Sequence, residues 1–133
     1  FETRAEPLIL EIDTAQTGHI IENLVMLSSQ FTKHGYIKTR YEYHNSMVTF
    51  SIEDTGVGID KASVNRIMSR TYEGVKGDYN VELEITICNE LAVLVGGHME
   101  IQSAVGRGTV VWVSLPCKNL LEELENNAEN GII

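Results

Sequence analysis

From Val48 to Glu53 the chain alternates apolar and polar residues, with Val48, Phe50 and Ile52 set against Thr49, Ser51 and Glu53. The run then opens into Asp54-Thr55-Gly56-Val57-Gly58-Ile59-Asp60. A period of two places every apolar side chain on one side of the backbone, which specifies a strand over Met47 to Asp54 in a sheet with one buried face. Glycines directly after such a strand let the backbone turn tightly and approach another group closely. The rest of the chain must supply helices to cover the apolar face.

Two long segments have the required helical period. Ile20, Leu24, Leu27, Ser28 and Phe31 recur at helical spacing, widened by Ile21 and Val25, and predict a helix from about Ala15 to Phe31. A strand at Leu8 to Ile12 precedes it, with Asp13 and Thr14 placed to cap the helix and Gly35 to break the chain after it. A second helix is expected from about Val81 to Val95, with Leu83, Ile87, Leu91 and Leu94 on one face and Gly96-Gly97 as terminator.

Ile37 to Tyr43 pairs with the alternating strand across a turn at His44, Asn45 and Ser46, and a short helix is predicted near Lys61 to Ser69. Arg70 to Asn80, with Gly74 and Gly77 and few apolar residues, is expected to be a mobile surface loop. Met99 and Ile101 in one strand, and Val111, Val113 and Leu115 in another, form a closing hairpin across Val105 to Gly108. Pro116 ends it, and a terminal helix runs from Asn119 to about Asn127. The predicted fold class is α+β: a two-layer sandwich with a mostly antiparallel mixed sheet and helices on one face. The predicted division is a domain over 1–118 and an acidic helix and tail over 119–133.

With 133 residues the chain fits one domain, able to bury roughly 65 to 70% of its unfolded surface. Ten basic against nineteen acidic residues give a net charge of −9, which repels nucleic acid and anionic membrane. No nucleic-acid partner and no direct membrane contact are expected. Glu122, Glu123, Glu125 and Glu129 read as a solvated helix face. Cys88 and Cys117 lie far apart, without metal-ligand spacing, and read as reduced thiols. No apolar run nears the roughly 18 residues of a membrane span and no signal-peptide pattern opens the chain, so a cytoplasmic location is expected for this piece, with membrane anchoring of a parent protein left open.

Three segments occur in an order and spacing that resemble the ATP-binding domains of histidine kinases, gyrase-type ATPases, the ninety-kilodalton heat-shock chaperones and mismatch-repair ATPases. They are Ile20 to Thr32, Asp54 to Ile59, and Leu94 to Thr109 with the strand closing on Leu115-Pro116. The histidine kinase branch is the most similar. Asp54-Thr55-Gly56-Val57-Gly58 matches its first glycine box. The resemblance implies that Asp54 accepts a hydrogen bond from the adenine amino group, that Gly56 and Gly58 shape the pocket, and that Thr109 lies near the adenine. Asn23 would approach the metal. The implied cofactors are ATP and Mg2+ where the site is competent, and none where it is not. The implied partners are a phosphoacceptor and dimerisation domain of the same parent protein and a response regulator.

The resemblance fails at the phosphate end. The family's second magnesium-site asparagine falls on Leu27, and a lysine position falls on Gln30. An alkyl group offers no lone pair to a hard cation. The second glycine box corresponds to Asn80-Val81-Glu82-Leu83-Glu84-Ile85, so Glu82 and Glu84 stand on glycine positions where backbone amides would cradle phosphate. At about 6 Å and an effective dielectric of about 20, one carboxylate against a phosphate charge costs on the order of 3 kcal/mol. Two placements of these glutamates are open: filling the positive end of the helix in place of phosphate, or pointing to solvent.

Ile67 to Tyr72 matches the aromatic box before the kinase lid only at Tyr72, and no phosphoacceptor helical hairpin is present in the sequence. His19, His34, His44 and His98 lack ligand spacing, and no catalytic residue is assigned. The expected function is the ATP-binding domain of a two-component sensor histidine kinase with impaired nucleotide binding. The alternative is an inactive module acting by protein contact, and the enzymatic activity itself is left open. A small ATPase or protein-serine kinase of the same fold is a third reading.

Overall fold

The computed structural model describes residues 9–69 and 81–131. In chain order the elements are β1 Leu10–Glu11, α1 Thr14–Phe31, β2 Ile37–His44, β3 Met47–Asp54, α2 Lys61–Ser69, α3 Val81–Leu94, β4 His98–Ala104, β5 Gly108–Pro116, β6 Lys118–Asn119 and α4 Leu120–Glu129. The loop expected over Arg70 to Asn80 and the strand start at Leu8 lie outside the described residues.

The main sheet has four strands in the order β2-β3-β5-β4, all antiparallel. In β3 the alternating run behaves as its period requires: Val48 and Ile52 are buried and pair across to Leu115 and Val111 of β5. These residues meet Ile20, Leu24 and Leu27 of α1 and Ile85, Cys88 and Ala92 of α3 in one core. On the opposite face, Thr49 and Ser114 share a hydrogen bond of 2.8 Å. The β2–β3 turn is the two-residue pair Asn45-Ser46, at φ 50 and 60. Both central residues are left-handed, as a turn that follows the strand twist demands.

Helix α1 starts where its cap predicts, with the Asp13 carboxylate accepting the Gln16 N–H at 3.0 Å. Helix α3 ends in paired bonds, Gly97 N–H to Ala92 O at 2.8 Å and Gly96 N–H to Val93 O at 3.0 Å, which satisfy carbonyls the last turn would orphan.

One expectation for α3 is overturned. The stripe Leu83, Ile87, Leu91 and Leu94 is not the face the core takes: Ile87 is 38% and Leu94 77% exposed, while Ile85, Thr86, Cys88, Asn89 and Ala92 are buried. The helix is apolar on several sides, so its period does not choose a face. Close packing on α1 and the sheet selects the smaller residues Cys88 and Ala92. The first strand is also shorter than expected and joins β6 in a separate two-stranded ribbon. The terminal helix α4 begins after Asn119, whose side chain accepts the Leu121 and Glu122 N–H groups.

Candidate functional site: a cavity between the helices and the end of β3

The register of the sheet builds one wall of a cavity. Asp54, the last residue of β3, lies opposite Thr109 of β5, and Thr109 lies opposite Ser103 of β4. Asp54 is 7% exposed, and its Oδ1 accepts the Gly56 N–H at 2.9 Å. The Thr109 and Ser103 hydroxyls are 2.7 Å apart, and Ser103 Oγ also accepts the Ile59 N–H at 2.7 Å and donates to Gly108 O at 3.0 Å. A single serine thus ties the glycine loop to the closing hairpin.

Glycine is required at both loop positions. A Cβ on Gly56 would lie 2.6 Å from Phe31 O and 3.0 Å from Asp54 Oδ1. Gly58 has φ +76, and a Cβ there would lie 2.1 Å from Ala104 O, so it combines a left-handed backbone with contact no side chain could survive.

The cavity holds about 300 Å³. Helix α1 contributes Leu24, Leu27, Ser28 and Phe31; the glycine loop and hairpin contribute Val57, Ile59 and Val105; α2 and α3 contribute Ile67, Val81, Glu82 and Ile85. Leu27 is 3% exposed, so its isobutyl group is part of the core as well as of the wall. Asp60 also lines the cavity and opens α2 by accepting the Ser63 N–H at 2.8 Å and hydroxyl at 3.0 Å. Those two Ser63 bonds, the backbone one foremost, hold the Asp60 carboxyl below its ordinary range, with the Arg66 charge adding to them.

At the first turn of α3 the Glu82 carboxylate is gripped by Arg66 of α2: Nε donates to Oε1 at 2.6 Å and an Nη to Oε2 at 3.1 Å. The same Nη donates to Ser63 Oγ at 3.0 Å, so Asp60, Ser63, Arg66 and Glu82 form a chain from one helix start to the other.

Of the residues singled out in the sequence, Asp54, Gly58 and Thr109 line the cavity with Leu27 and Glu82, and Gly56 flanks it through its bond to Asp54. Asn23 does not line it; its amide nitrogen lies 3.0 Å from His19 Nε2. Glu84 stands off the wall, half-buried. Arg66, Ser103 and Thr32 were not anticipated. The Thr32 hydroxyl is buried beside Gly56 and finds no hydrogen-bond partner among the described residues. No group of His, Cys, Asp and Glu suited to hold a metal occurs among the described residues. Cys88 and Cys117 are free and buried; burial, with Glu84 adding to it, pushes the Cys88 thiol up to about 12. No described helix is long and apolar enough to cross a membrane.

This cavity sits inside a family pattern that spans most of the chain. Residues 12–119 match the model described as histidine kinase-, DNA gyrase B- and HSP90-like ATPase. The chain belongs to this ATPase family. Within it, the chain is similar to histidine kinases. Sensor histidine kinase AtsR of Burkholderia thailandensis is 30% identical over 123 residues, 85% of this chain and 20% of that protein. Sensor histidine kinase YclK of Bacillus subtilis is 31% identical over 116 residues, 82% of this chain and 24% of that protein. Hybrid signal transduction histidine kinase B of Dictyostelium discoideum is 27% identical, and the chain spans 6% of its length. The ATPase-family chain therefore corresponds to a small part of the curated relatives it matches.

The fold agrees with solved members. Full-length ShkA in complex with AMPPNP superposes with a TM-score of 0.68 at 24% identity, covering 84% of this chain and 24% of that one. The mycobacterial sensor histidine kinase MprB superposes with a TM-score of 0.65 at 18% identity, covering 80% and 74%. The histidine kinase ATP-binding domain is thus the reading that sequence relatives support and the superposed folds accommodate.

Proposed function

We propose that this chain is the ATP-binding domain of a two-component sensor histidine kinase whose capacity for magnesium-bound triphosphate is impaired. The observation that carries the reading is the placement of Glu82. Glu82 lines the cavity at the α3 N-terminus with its carboxylate held by Arg66, where a glycine amide would meet phosphate in the resembling family. Leu27 adds an alkyl wall, and Asn23 is turned to His19 rather than into the cavity. A hard cation prefers oxygen ligands, and this pair supplies no converging oxygens. The residues therefore suit the base of a nucleotide, at Asp54 and Thr109, better than its phosphates and Mg2+.

Were the nucleotide bound, it would supply the transferable phosphoryl group. This chain's own part is to hold a base at Asp54 and to exclude water with Leu24, Phe31 and Ile59. In the parent protein the domain would face a phosphoacceptor and dimerisation domain, with a response regulator downstream, on the cytoplasmic side. The exposed side chains Ile87 and Leu94, two turns apart on one face of α3, favour a contact role for the domain within such a protein, since apolar side chains grouped on a helix face mark interaction surfaces.

Calorimetric titration with ATP, with and without Mg2+, tests the reading. No saturable heat is expected at millimolar ATP from the unaltered chain, and saturable binding is expected once Leu27→Asn, Glu82→Gly and Glu84→Gly are combined. A folded triple variant that stays silent would refute the assigned cause of the loss.

A further inference from the structure

Residues of α1, α2 and α3 share one core with one face of the main sheet, and the cavity described above lies on that side. On the other face, strand register sets two neighbouring rows across β3, β5 and β4: Ser51, Trp112 and Glu100 in one, Thr49, Ser114 and His98 in the next. Between these rows lies a recess of about 200 Å³, lined by Thr49, His98, Glu100, Trp112 and Ser114. Ser114 is 8% exposed and shares a hydrogen bond of 2.8 Å with Thr49, so the most buried part of the recess is polar. Around it stand the half-buried indole of Trp112 and the exposed side chains of Glu100 and His98.

Two chemical features of this recess are unmet. Among the described residues, no hydrogen bond, ion pair or ring contact reaches the side chain of Glu100 or of Trp112. No lysine or arginine among them lines the recess: Arg40 stands opposite Ser51 on the far side of β3, and Lys38 lies over Tyr36 at 5.5 Å. An indole face attracts cations more strongly than any other aromatic side chain, and a carboxylate beside it adds direct charge attraction. Of the two long cationic side chains, arginine suits the pair better, because its planar guanidinium stacks on a ring and presents a fork of donors to a carboxylate. The net charge of −9 draws cations to the chain and repels anions. The volume is below the roughly 300 to 1,000 Å³ of pockets that enclose whole ligands, and it suits one side chain reaching in from a larger partner.

We propose that this recess receives an arginine side chain of a partner polypeptide, its guanidinium stacked on Trp112 and forked to the Glu100 carboxylate. The Thr49 and Ser114 hydroxyls satisfy one another with a single proton and keep lone pairs to accept a further guanidinium N–H. The contact is made on the face turned away from the nucleotide cavity, so it stands whether or not that cavity takes a nucleotide.

Trp112 is the only tryptophan of the chain, so its emission reports the recess alone. The test titrates the unaltered chain, at constant ionic strength, with the end-blocked tripeptide Gly-Arg-Gly and with its lysine and citrulline counterparts. Citrulline keeps the shape of arginine without the charge. The arginine peptide should change the emission saturably, with a midpoint of about 1 to 10 mM, and the citrulline peptide should be weaker by about fivefold or more. Glu100→Gln should weaken the arginine peptide by about fivefold, while Glu125→Gln on α4, an equal change of net charge elsewhere, should alter it by less than about twofold. Equal midpoints for arginine and citrulline overturn the cation assignment, and equal midpoints for arginine and lysine overturn the stacked guanidinium. Equal effects of Glu100→Gln and Glu125→Gln show diffuse charge attraction and overturn the site, as does the lack of any saturable change at about 50 mM arginine peptide.

Discussion

Arg66 and Glu82 lie 16 residues apart in sequence, yet they meet through two N–H···O bonds of 2.6 and 3.1 Å that join α2 to the first turn of α3. The guanidinium fork matches the carboxylate geometry, which is the strong form of such a pair. The pair spans the segment between the two helices that frame the cavity. A negative charge that would otherwise stand free at the cavity wall is thereby compensated within the fold.

A double-mutant cycle on Arg66→Ala and Glu82→Ala should return a coupling of about 0.5 to 1 kcal/mol in urea unfolding, diminishing in molar salt. The value is modest because Arg66 is 41% exposed and solvent screens the pair. Coupling unchanged by salt would contradict this placement.

Gly58→Ala should destabilise the domain by about 1 to 3 kcal/mol, read from the denaturant midpoint. The residue must hold φ +76 with its Cβ against Ala104 O. Gly18→Ala in α1, where a Cβ would meet nothing within 4 Å, should instead be neutral or stabilising by a few tenths of a kcal/mol up to about 1.

Asn89→Ala should cost about 1 to 3 kcal/mol. Asn89 is 4% exposed, and its amide donates to the Ile67 carbonyl in the last turn of α2 at 3.1 Å, a group the helix itself leaves unpaired. The same measurement on Asn65→Ala, exposed on α2, should show a change within about 0.5 kcal/mol.

Asp60 and Cys88 each make stability depend on pH. Asp60 is held lower folded than its ordinary value of 3.8, so its contribution is present above that pH and is lost as pH falls through the lower folded value. Asp60→Asn should flatten that acid limb in pH-dependent unfolding. Cys88 is raised from 9.0 to about 12, so its neutral form is favoured in the folded chain; stability is intact below pH 9 and declines between 9 and 12. Cys88→Ala should remove the part of the alkaline decline due to this thiol. At pH 8, iodoacetamide should modify Cys88 only as fast as the fold opens.

Local pattern was enough for much of the scaffold. Helix α2 has the predicted limits Lys61 to Ser69, and β3 the predicted limits Met47 to Asp54. Capping residues and a period of two or of 3.6 act within a few neighbours, so they can be seen in the chain. The glycine loop was legible for the same reason. The side of α3 that is buried was not: its several apolar rows are equivalent until α1 and the sheet approach, and then size decides among them.

Residue chemistry alone dictated that a buried-face strand must run into a glycine turn, and that a carboxylate would stand at its end. Tertiary structure alone brought Thr109 opposite Asp54, spent its proton on Ser103, and carried Arg66 across to Glu82. Strand register and helix docking are long-range choices, settled by which pairings bury the most apolar surface while leaving few polar groups unmet. No short stretch of the chain contains that comparison.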